Sequence, residues 1–297
     1  MKILSFGSLN VDLVYKVPHV VAKGETLAST AVNTYPGGKG LNQSIALGKA
    51  GAEVYHAGAI GEDGKFLVDC LEAAGVNTKF VKVLDDMKSG HAIIQNTDDG
   101  DNCILLFGGA NQAITKEQVD EVLAAFEEGD FLILQNEISE LKYIVEQASA
   151  KGMQVVLNPS PMNAVINELP LDCVSYFLLN EIEAAQILGE PVEDPDVIIA
   201  KLAERFPKAK VVLTLGGDGS AFSDGTQVVR QGIYKVKAVD TTAAGDTFTG
   251  YFIAGEAKGQ DIKVSMDMAA KAAAITVSRP GAGSAIPTLA EVEAFEM

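Results

Sequence analysis

The chain has 297 residues, of which 47% are hydrophobic and 21% charged, as is typical of a soluble globular protein with a sizeable core. Its 23 basic and 40 acidic side chains give a formal net charge of −17. This charge repels nucleic acids and anionic membranes, so we expect neither as a partner. An anionic substrate would need a local positive site, such as a helix N-terminus.

The cysteines and histidines are scattered along the sequence. Cys70, Cys103 and Cys173 form no CxxC pair, which indicates reduced thiols rather than a disulfide framework. The three histidines are equally dispersed, which argues against a His-based metal site. The N-terminal apolar run is too short for a signal peptide, and no apolar run approaches the ~20 residues of a membrane span. We therefore expect a cytoplasmic enzyme.

The N-terminal region predicts two successive strands with polar groups on one face. A buried strand over 2–7 is followed by a second strand over 9–17 that carries Asn10 and Asp12. Their two-residue spacing puts both side chains on the same face of a strand. They are either part of a binding site or the polar face of an edge strand.

The glycine-rich segment 36–43 precedes a helix predicted over about 41–50. Its sequence, PGGKGLNQ, fits neither the Walker pattern nor G-x-G-x-x-G. We interpret Lys39 and Asn42 as hydrogen-bonding groups for hydroxyls at a helix start. A flexible glycine turn would explain the glycines but not the lysine.

A small accessory sheet is predicted beside the main fold. Strand, helix and strand over 54–83 indicate a parallel sheet with helices on both faces. Residues 88–111 break this rhythm with two β runs joined by the turn at 97–101, which predicts a hairpin. Together with strands from about 11–35, the hairpin would form a sheet without helices on one face. We expect it to be a lid that also forms a homodimer.

Polar residues follow several predicted strands of the second half, at the edge where open α/β sheets bind ligands. Glu137 follows a strand over 130–134 and is a candidate site residue. Asn180 and Glu183 follow a strand predicted over 176–179. They either start a helix or hold a hydrated magnesium ion, and the helix start is the favoured interpretation. Gly216 and Gly219 suit either a nucleotide or a tight hairpin turn.

The segment 240–248 joins a predicted strand over 234–239 to a helix predicted over about 247–258. The small residues 243–245 allow close approach of a ligand to the backbone, and the helix N-terminus is an anion site. Asp246 would repel a bound anion. Its position beside an anion site is explained if it takes a proton from a nucleophile that attacks the anion. A simple Asp N-cap is equally compatible with the local residues.

In order and spacing, these motifs resemble the ribokinase-like sugar kinases over nearly the whole chain. The two signatures are PGGKGLNQ at 36–43 and DTTAAGDTF at 240–248, supported by GSLNVD at 7–12 and GAN at 109–111. The resemblance implies one α/β domain over 1–297, with three α/β/α layers, a mainly parallel central sheet and the small β lid. It also implies ATP-dependent transfer of the γ-phosphoryl group to a sugar hydroxyl, with D-ribose as the expected acceptor and D-ribose 5-phosphate as the product.

The resemblance further implies roles for the matching residues. Asp246 is the implied catalytic base, and Ala243, Ala244 and Gly245 form the anion hole. The implied sugar-binding residues are Asn10, Asp12, Gly38, Lys39, Asn42, Glu137 and Asp246. The implied nucleotide-binding residues are Asn180, Glu183, Thr214, Gly216, Gly219 and Gly245, with Glu183 holding Mg²⁺ indirectly. Asp240, Thr242, Arg279 and Gly281 form the implied loop for a monovalent cation, expected to be K⁺.

Three alternatives stay open from the sequence. The acceptor is another sugar, a sugar acid or a nucleoside; or the chain is a non-catalytic sugar-binding paralogue on the same scaffold. A dinucleotide-dependent oxidoreductase is disfavoured because the chain lacks G-x-G-x-x-G.

Overall fold

The computed structural model describes residues 1–97 and 101–296, so the predicted turn at 97–101 lies mostly outside the described residues. The strands are β1 (Ile3–Phe6), β2 (Asn10–Lys16), β3 (Ala31–Gly37), β4 (Val54–Gly61), β5 (Asn77–Leu84), β6 (Gly90–Asn96), β7 (Asn102–Phe107), β8 (Phe131–Gln135), β9 (Gln154–Asn158), β10 (Tyr176–Asn180), β11 (Lys210–Thr214), β12 (Ser220–Ser223) and β13 (Val228–Gln231). The α-helices are α1 (Lys39–Lys49), α2 (Lys65–Ala73), α3 (Lys116–Leu123), α4 (Leu141–Ala150), α5 (Glu181–Leu188), α6 (Pro195–Arg205), α7 (Ala244–Ala257), α8 (Ile262–Val277) and α9 (Leu289–Glu293).

The larger sheet runs in the order β13-β12-β11-β10-β9-β8-β1-β4-β5. Its strands pair in parallel from β11 to β5, and β12 and β13 add an antiparallel edge. Successive residues of β8 point to opposite faces: Leu132 and Leu134 pack in one core, Phe131 and Ile133 in the other. Helices α3 to α6 cover the first core, and α1, α2, α7 and α8 the second. The predicted three-layer arrangement is confirmed.

The smaller sheet runs in the order β3-β2-β6-β7. Its central pair, β2 and β6, is parallel, whereas β3 and β7 pair antiparallel at its two edges. All six residues of β7 are exposed. The strands predicted near 11–35 and 88–111 therefore do form a separate sheet with an exposed edge.

The prediction of a strand over 234–239 is wrong. Its alternation of apolar and polar residues indicated a strand, but no strand among the described residues pairs with it. The N–H of Val239 instead donates to the carbonyl of Val277 at the end of α8, at 2.7 Å. The segment crosses the end of a helix, where its apolar side chains line a cleft rather than a sheet.

Helix α7 begins at Ala244, three residues before the predicted start at Thr247. Ala243 is the N-cap residue and has a left-handed backbone, with φ of 62°. Asp246 is therefore not the N-cap; it lies inside the first turn. Across residues 1–97 and 101–296, no helix combines the length and apolarity needed to cross a membrane.

Candidate active site

Two adjoining clefts lie where the carboxyl ends of β9, β10 and β11 face the N-terminus of α7. The smaller cleft, of about 240 Å³, is polar and is lined by Lys39, Asn180, Glu183 and Asp246 among others. The larger, of about 700 Å³, is mostly apolar and is lined by side chains such as Phe248 on α7 and by the turn that contains Gly216 and Gly219. Residues common to both clefts are Thr214, Thr241, Ala244 and Gly245. The start of α7 thus lies at the junction of a polar and an apolar space.

The carboxylate of Asp246 lies in the first turn of α7 and is 7% exposed. Asn42 Nδ2 donates to its Oδ2 at 3.2 Å, and Gln43 Nε2 donates to its Oδ1 at 2.9 Å. Both donors come from α1, in the glycine-rich segment. Each oxygen of the Asp246 carboxyl group therefore accepts a hydrogen bond from a side-chain amide of α1, which fixes the plane of the group.

The backbone at Ala243 shapes the start of α7. A left-handed conformation is costly for a residue with a Cβ, by about 1–2 kcal/mol, and such strain is concentrated at functional sites. The turn leaves the amides of Gly245 and Asp246 without partners four residues earlier in the helix. These amides and the helix dipole make the junction of the two clefts suitable for an anion.

Glu137 follows β8 and joins two segments that are distant in sequence. Its Oε2 accepts hydrogen bonds from Ser8 Oγ and from the backbone N–H of Lys39, the latter at 3.0 Å. Burial raises the pKa of Glu137; Ser8 and Lys39 oppose this, and the charge of Asp246 adds to it. Glu137 therefore fixes the start of α1 next to Asp246.

Asp12 in β2 belongs to the same group of acids. Burial, with a further contribution from Glu137, raises its pKa from 3.8 to about 7. Gly37 lies directly against the Asp12 carboxylate, where a Cβ would collide with it. Gly38 adopts φ of 96°, a conformation that favours glycine, as the chain turns from β3 into α1.

Asn10 begins β2, and its carboxamide is oriented by Asn111. Asn111 Nδ2 donates to Asn10 Oδ1 at 2.8 Å, while Asn111 Oδ1 accepts from the N–H of Leu9 at 3.0 Å. Since the oxygen of Asn10 is engaged, its N–H₂ group is directed away from Asn111. Both asparagines are buried, so the edge-strand interpretation of Asn10 is wrong.

Asn180 and Glu183 form a capping box at the start of α5. Asn180 Oδ1 accepts from the N–H of Glu183 at 2.9 Å, and Glu183 Oε2 accepts from the N–H of Asn180 at 3.0 Å. The interpretation as a helix start is therefore confirmed. Both residues also line the smaller cleft, so the capping role leaves them beside that space.

Asp240 joins two loops beside the start of α7. Its Oδ1 accepts from the N–H of Thr242 at 2.9 Å, and its Oδ2 accepts from the N–H of Gly281 at 3.0 Å. Burial opposes ionisation of Asp240, but these hydrogen bonds outweigh it and lower the pKa. The guanidinium of Arg279 points elsewhere and pairs with Glu291 at 2.7 Å. Only the backbone of Arg279 is thus available to the loop.

Sequence reasoning brought together most of the site but gave no role to several of its polar groups. These are Ser8, Gln43, Asn111, Gln135 and Asn158, which hold Glu137, Asn10 or Asp246 in place. Each lies within or next to a motif or strand end that had been singled out. For Ser8, Gln135 and Asn158 the available signal was their position at the carboxyl edge of the larger sheet, whereas Gln43 and Asn111 could be found only through the motifs that contain them.

Comparison with known proteins identifies the family of this fold and site. Residues 1–289 match the pfkB family carbohydrate kinases. The chain belongs to that family. It is thus an ATP-dependent sugar kinase, as its motifs predict.

Individual pfkB-family proteins resemble the chain along its whole length. The ribokinase of Staphylococcus aureus (strain COL) is 36% identical, with 98% of each chain covered. The structure of Arabidopsis thaliana ribokinase complexed with ribose and ATP superposes with a TM-score of 0.87 at 30% identity, covering 98% of this chain and 97% of that one. A deoxyribokinase of Salmonella typhi is 29% identical, covering 99% of this chain and 98% of its own.

Proposed function

We propose that this pfkB-family kinase transfers the γ-phosphoryl group of ATP to the 5-hydroxyl of D-ribose, giving D-ribose 5-phosphate and ADP. The observation that carries the proposal is the Asp246 carboxylate, held by two amide donors at the N-terminus of α7. The similarity to named ribokinases supports ribose as the acceptor. The deoxyribokinase makes 2-deoxyribose the second candidate.

The sugar occupies the space between β2, the start of α1 and the end of β8. Its hydroxyls bind the polar groups of Asn10, Asp12, Lys39, Asn42 and Glu137, with Gly38 leaving room beside them. The 5-hydroxyl faces Asp246. The carboxylates in this space suit hydroxyl groups, which donate hydrogen bonds to them.

The nucleotide lies across both clefts. Its base and ribose occupy the larger cleft near Gly216 and Gly219, and Thr214 lies where the two clefts meet. The phosphates lie in the smaller cleft, where the amides of Gly245 and Asp246, next to Ala243 and Ala244, stabilise the transferring group. Apolar walls in one cleft and free backbone amides in the other support this division.

In the reaction, Asp246 accepts the proton of the 5-hydroxyl as the sugar oxygen bonds to the γ-phosphorus and the bond to ADP breaks. Asn42 and Gln43 keep the carboxylate turned toward the sugar. The amides of Gly245 and Asp246 and the Lys39 ammonium stabilise the negative charge on the transferring oxygens.

Two kinds of metal ion fit the donors near these clefts. Asn180 and Glu183 would hold a hydrated Mg²⁺ next to the phosphates, since one Glu183 oxygen caps α5 and the other is left for water. When bound, Mg²⁺ would neutralise phosphate charge. Asp240, Thr242 and the backbone carbonyls near Arg279 and Gly281 would hold K⁺, because the 240–242 and 279–281 loops already meet at Asp240.

The small sheet is proposed to be the lid of the sugar site and the interface of a homodimer. Asn10 and Asp12 belong to its strand β2, so it forms one wall of the site. On β7, Leu105 is 66% exposed, and Ile104, Leu106 and Phe107 are each more than half exposed. Four consecutive exposed apolar residues on an edge strand favour burial against a second copy.

A sugar panel tests the acceptor. D-ribose, 2-deoxy-D-ribose, D-fructose and adenosine are supplied with ATP, and ADP release is measured. We expect the highest kcat/KM for ribose. A higher value for any other acceptor would refute the ribose assignment, and absence of turnover with every acceptor would refute the kinase.

Asp246→Asn tests the base. It keeps the shape of the side chain but removes the proton acceptor, so kcat should fall by about 100- to 10,000-fold while ribose and ATP still bind. The exposed Asp86→Asn is the control. Turnover near that of the control would exclude Asp246 as the base.

Potassium dependence tests the cation loop. Turnover is compared in KCl and in choline chloride at equal ionic strength, with the wild type and Asp240→Asn. The wild type should be faster in KCl, and the variant should respond little. Equal rates of the wild type in both salts would contradict a K⁺ site.

The dimer is tested by sedimentation velocity. Leu105→Glu should shift a wild-type dimer to monomer, whereas Val197→Glu, at an exposed apolar position on α6, should not. A monomeric wild type at micromolar concentration would contradict the proposal.

A further inference from the structure

Two buried glutamines connect the end of β8 to Asp246. Gln135 Nε2 donates to Gln43 Oε1 at 2.7 Å, and Gln43 Nε2 donates to Asp246 Oδ1 at 2.9 Å. Gln43 is 0% exposed and Gln135 is 1% exposed. Burying a carboxamide is unfavourable unless its polar atoms find partners. Both polar atoms of Gln43 are paired, whereas Gln135 Oε1 is buried without a hydrogen-bond partner among the described residues. Gln43 is therefore the more strongly constrained of the two side chains.

The direction of this chain of hydrogen bonds follows from the charge at its end. A carboxylate only accepts, so Gln43 must turn its nitrogen toward Asp246. Its oxygen then faces Gln135, which in turn must present its own nitrogen. Reversing both amides would place the oxygen of Gln43 against a carboxylate oxygen.

A second contact fixes the same orientation independently. Gln43 Nε2 also donates to Asn158 Oδ1 at 3.3 Å. Asn158 is held with its oxygen toward Gln43 because its Nδ2 donates to the carbonyl of Leu178 at 2.9 Å. The end of β9 therefore independently requires the nitrogen of Gln43 to face Asp246, and the orientation of Gln135 at the end of β8 follows from that of Gln43.

We propose that Gln43, oriented by Asn158 and packed against Gln135, is a positioning residue that fixes the Asp246 carboxylate and directs its free lone pairs at the acceptor hydroxyl. This inference rests on the proposed function of Asp246 as the base. Asn42 fixes one carboxylate oxygen and Gln43 the other, so the plane of the carboxylate is set from α1. The other charged groups near Asp246 are Lys39, Glu137 and Glu183.

Gln43→Glu is the sharpest test because it keeps the shape of the side chain and replaces the donor with an acceptor. We expect kcat to fall by about 10- to 100-fold, since a hydrogen bond to a charged group is lost and a carboxyl replaces it. The KM values for ribose and ATP should stay within about twofold. The acidic limb of the kcat profile should move to higher pH by about one unit, because a second acid disfavours ionisation of Asp246.

Gln135→Met removes the hydrogen bond between Gln135 and Gln43 without changing a direct contact of Asp246. It should lower kcat less than Gln43→Met does, and it should have no further effect in the Gln43→Met background, because its influence passes through Gln43. Gln118→Met is the matched control. Gln118 is equally buried, and its Nε2 donates to the carbonyl of Gly58, so its replacement should leave the pH profile unchanged.

Several outcomes would overturn the proposal. One is a wild-type pH profile in Gln43→Glu, another is a change in KM alone, and a third is full additivity of the two Met substitutions. If Gln43→Glu does not fold, the Met variants decide by the same criteria. If the wild type phosphorylates no sugar, the proposed function fails. A ¹³C NMR titration of the Asp246 carboxyl still tests the contact with Gln43, because the titration is expected to move to higher pH in Gln43→Glu.

Discussion

Replacing Asp12 with Asn should stabilise the protein at neutral pH while weakening sugar binding. In the folded protein, burial and the neighbouring Glu137 raise the pKa of Asp12 from 3.8 to about 7. Each pH unit between these values corresponds to about 1.4 kcal/mol. Ionised Asp12 therefore lowers the free energy of unfolding by at most about 4 kcal/mol. Asp12 is only half-buried, so we reduce this to about 2 kcal/mol for solvent screening.

The sign follows from proton binding. Because the pKa is higher in the folded than in the unfolded chain, the folded state binds more protons between about pH 4 and 7. The free energy of unfolding therefore falls as the pH rises through this window, and the full cost is present above pH 7. Asn carries no such cost, so the gain from the substitution should be small near pH 4 and close to its maximum at pH 8.

Urea unfolding at pH 5 and pH 8 measures this gain. At pH 8 the midpoint for Asp12→Asn should exceed that of the wild type by roughly 1 M, with a smaller difference at pH 5. The exposed Asp86→Asn controls for the substitution itself. In a Glu137→Gln background the gain should shrink, because one cause of the raised pKa is removed. A gain of equal size at both pH values would refute the reasoning.

Two further substitutions test the backbone. Gly40→Ala would bring a Cβ within 2.6 Å of Gly7 Cα. It should therefore destabilise the protein by about 1–3 kcal/mol and raise the KM for the sugar. The control Gly232→Ala, whose Cβ would meet no atom within 4 Å, should change neither stability nor KM. An unchanged melting temperature for Gly40→Ala would contradict this. Glu140→Gly should raise the urea midpoint, because Glu140 has φ of 58° and glycine removes a cost of about 1 kcal/mol. Glu146→Gly in the middle of α4 should lower the midpoint; a fall for both would show that Glu140 is not strained.

The layers of the fold could be predicted because the central strands are buried on both faces. Such strands form short apolar runs between polar turns, as the FLIL of β8 and the VVL of β11 do. The same pattern locates Glu137 and Asn180 at the ligand-binding edge of the sheet.

Other features could not be predicted because a sequence pattern reports exposure but not pairing. The residues at 234–239 alternate like a strand, yet they lie against the end of α8 and the larger cleft. The start of α7 was misplaced for a related reason. Ala243 is an unexpected residue for a left-handed N-cap, and its conformation depends on surrounding loops rather than on its own preference. The donors to Asp246 come from a distant part of the chain, so no local signal connects them.

The distances in sequence between the partners of Asp246 have a consequence for folding. Its hydrogen bonds join residues 204 and 203 positions apart, and the bond between Ser8 and Glu137 spans 129 positions. Contacts of such long range require closure of most of the chain and form slowly. During refolding, helical content should therefore return before turnover does. Enzymatic activity is thus a sensitive measure of whether the whole chain, rather than any part of it, has reached its native state.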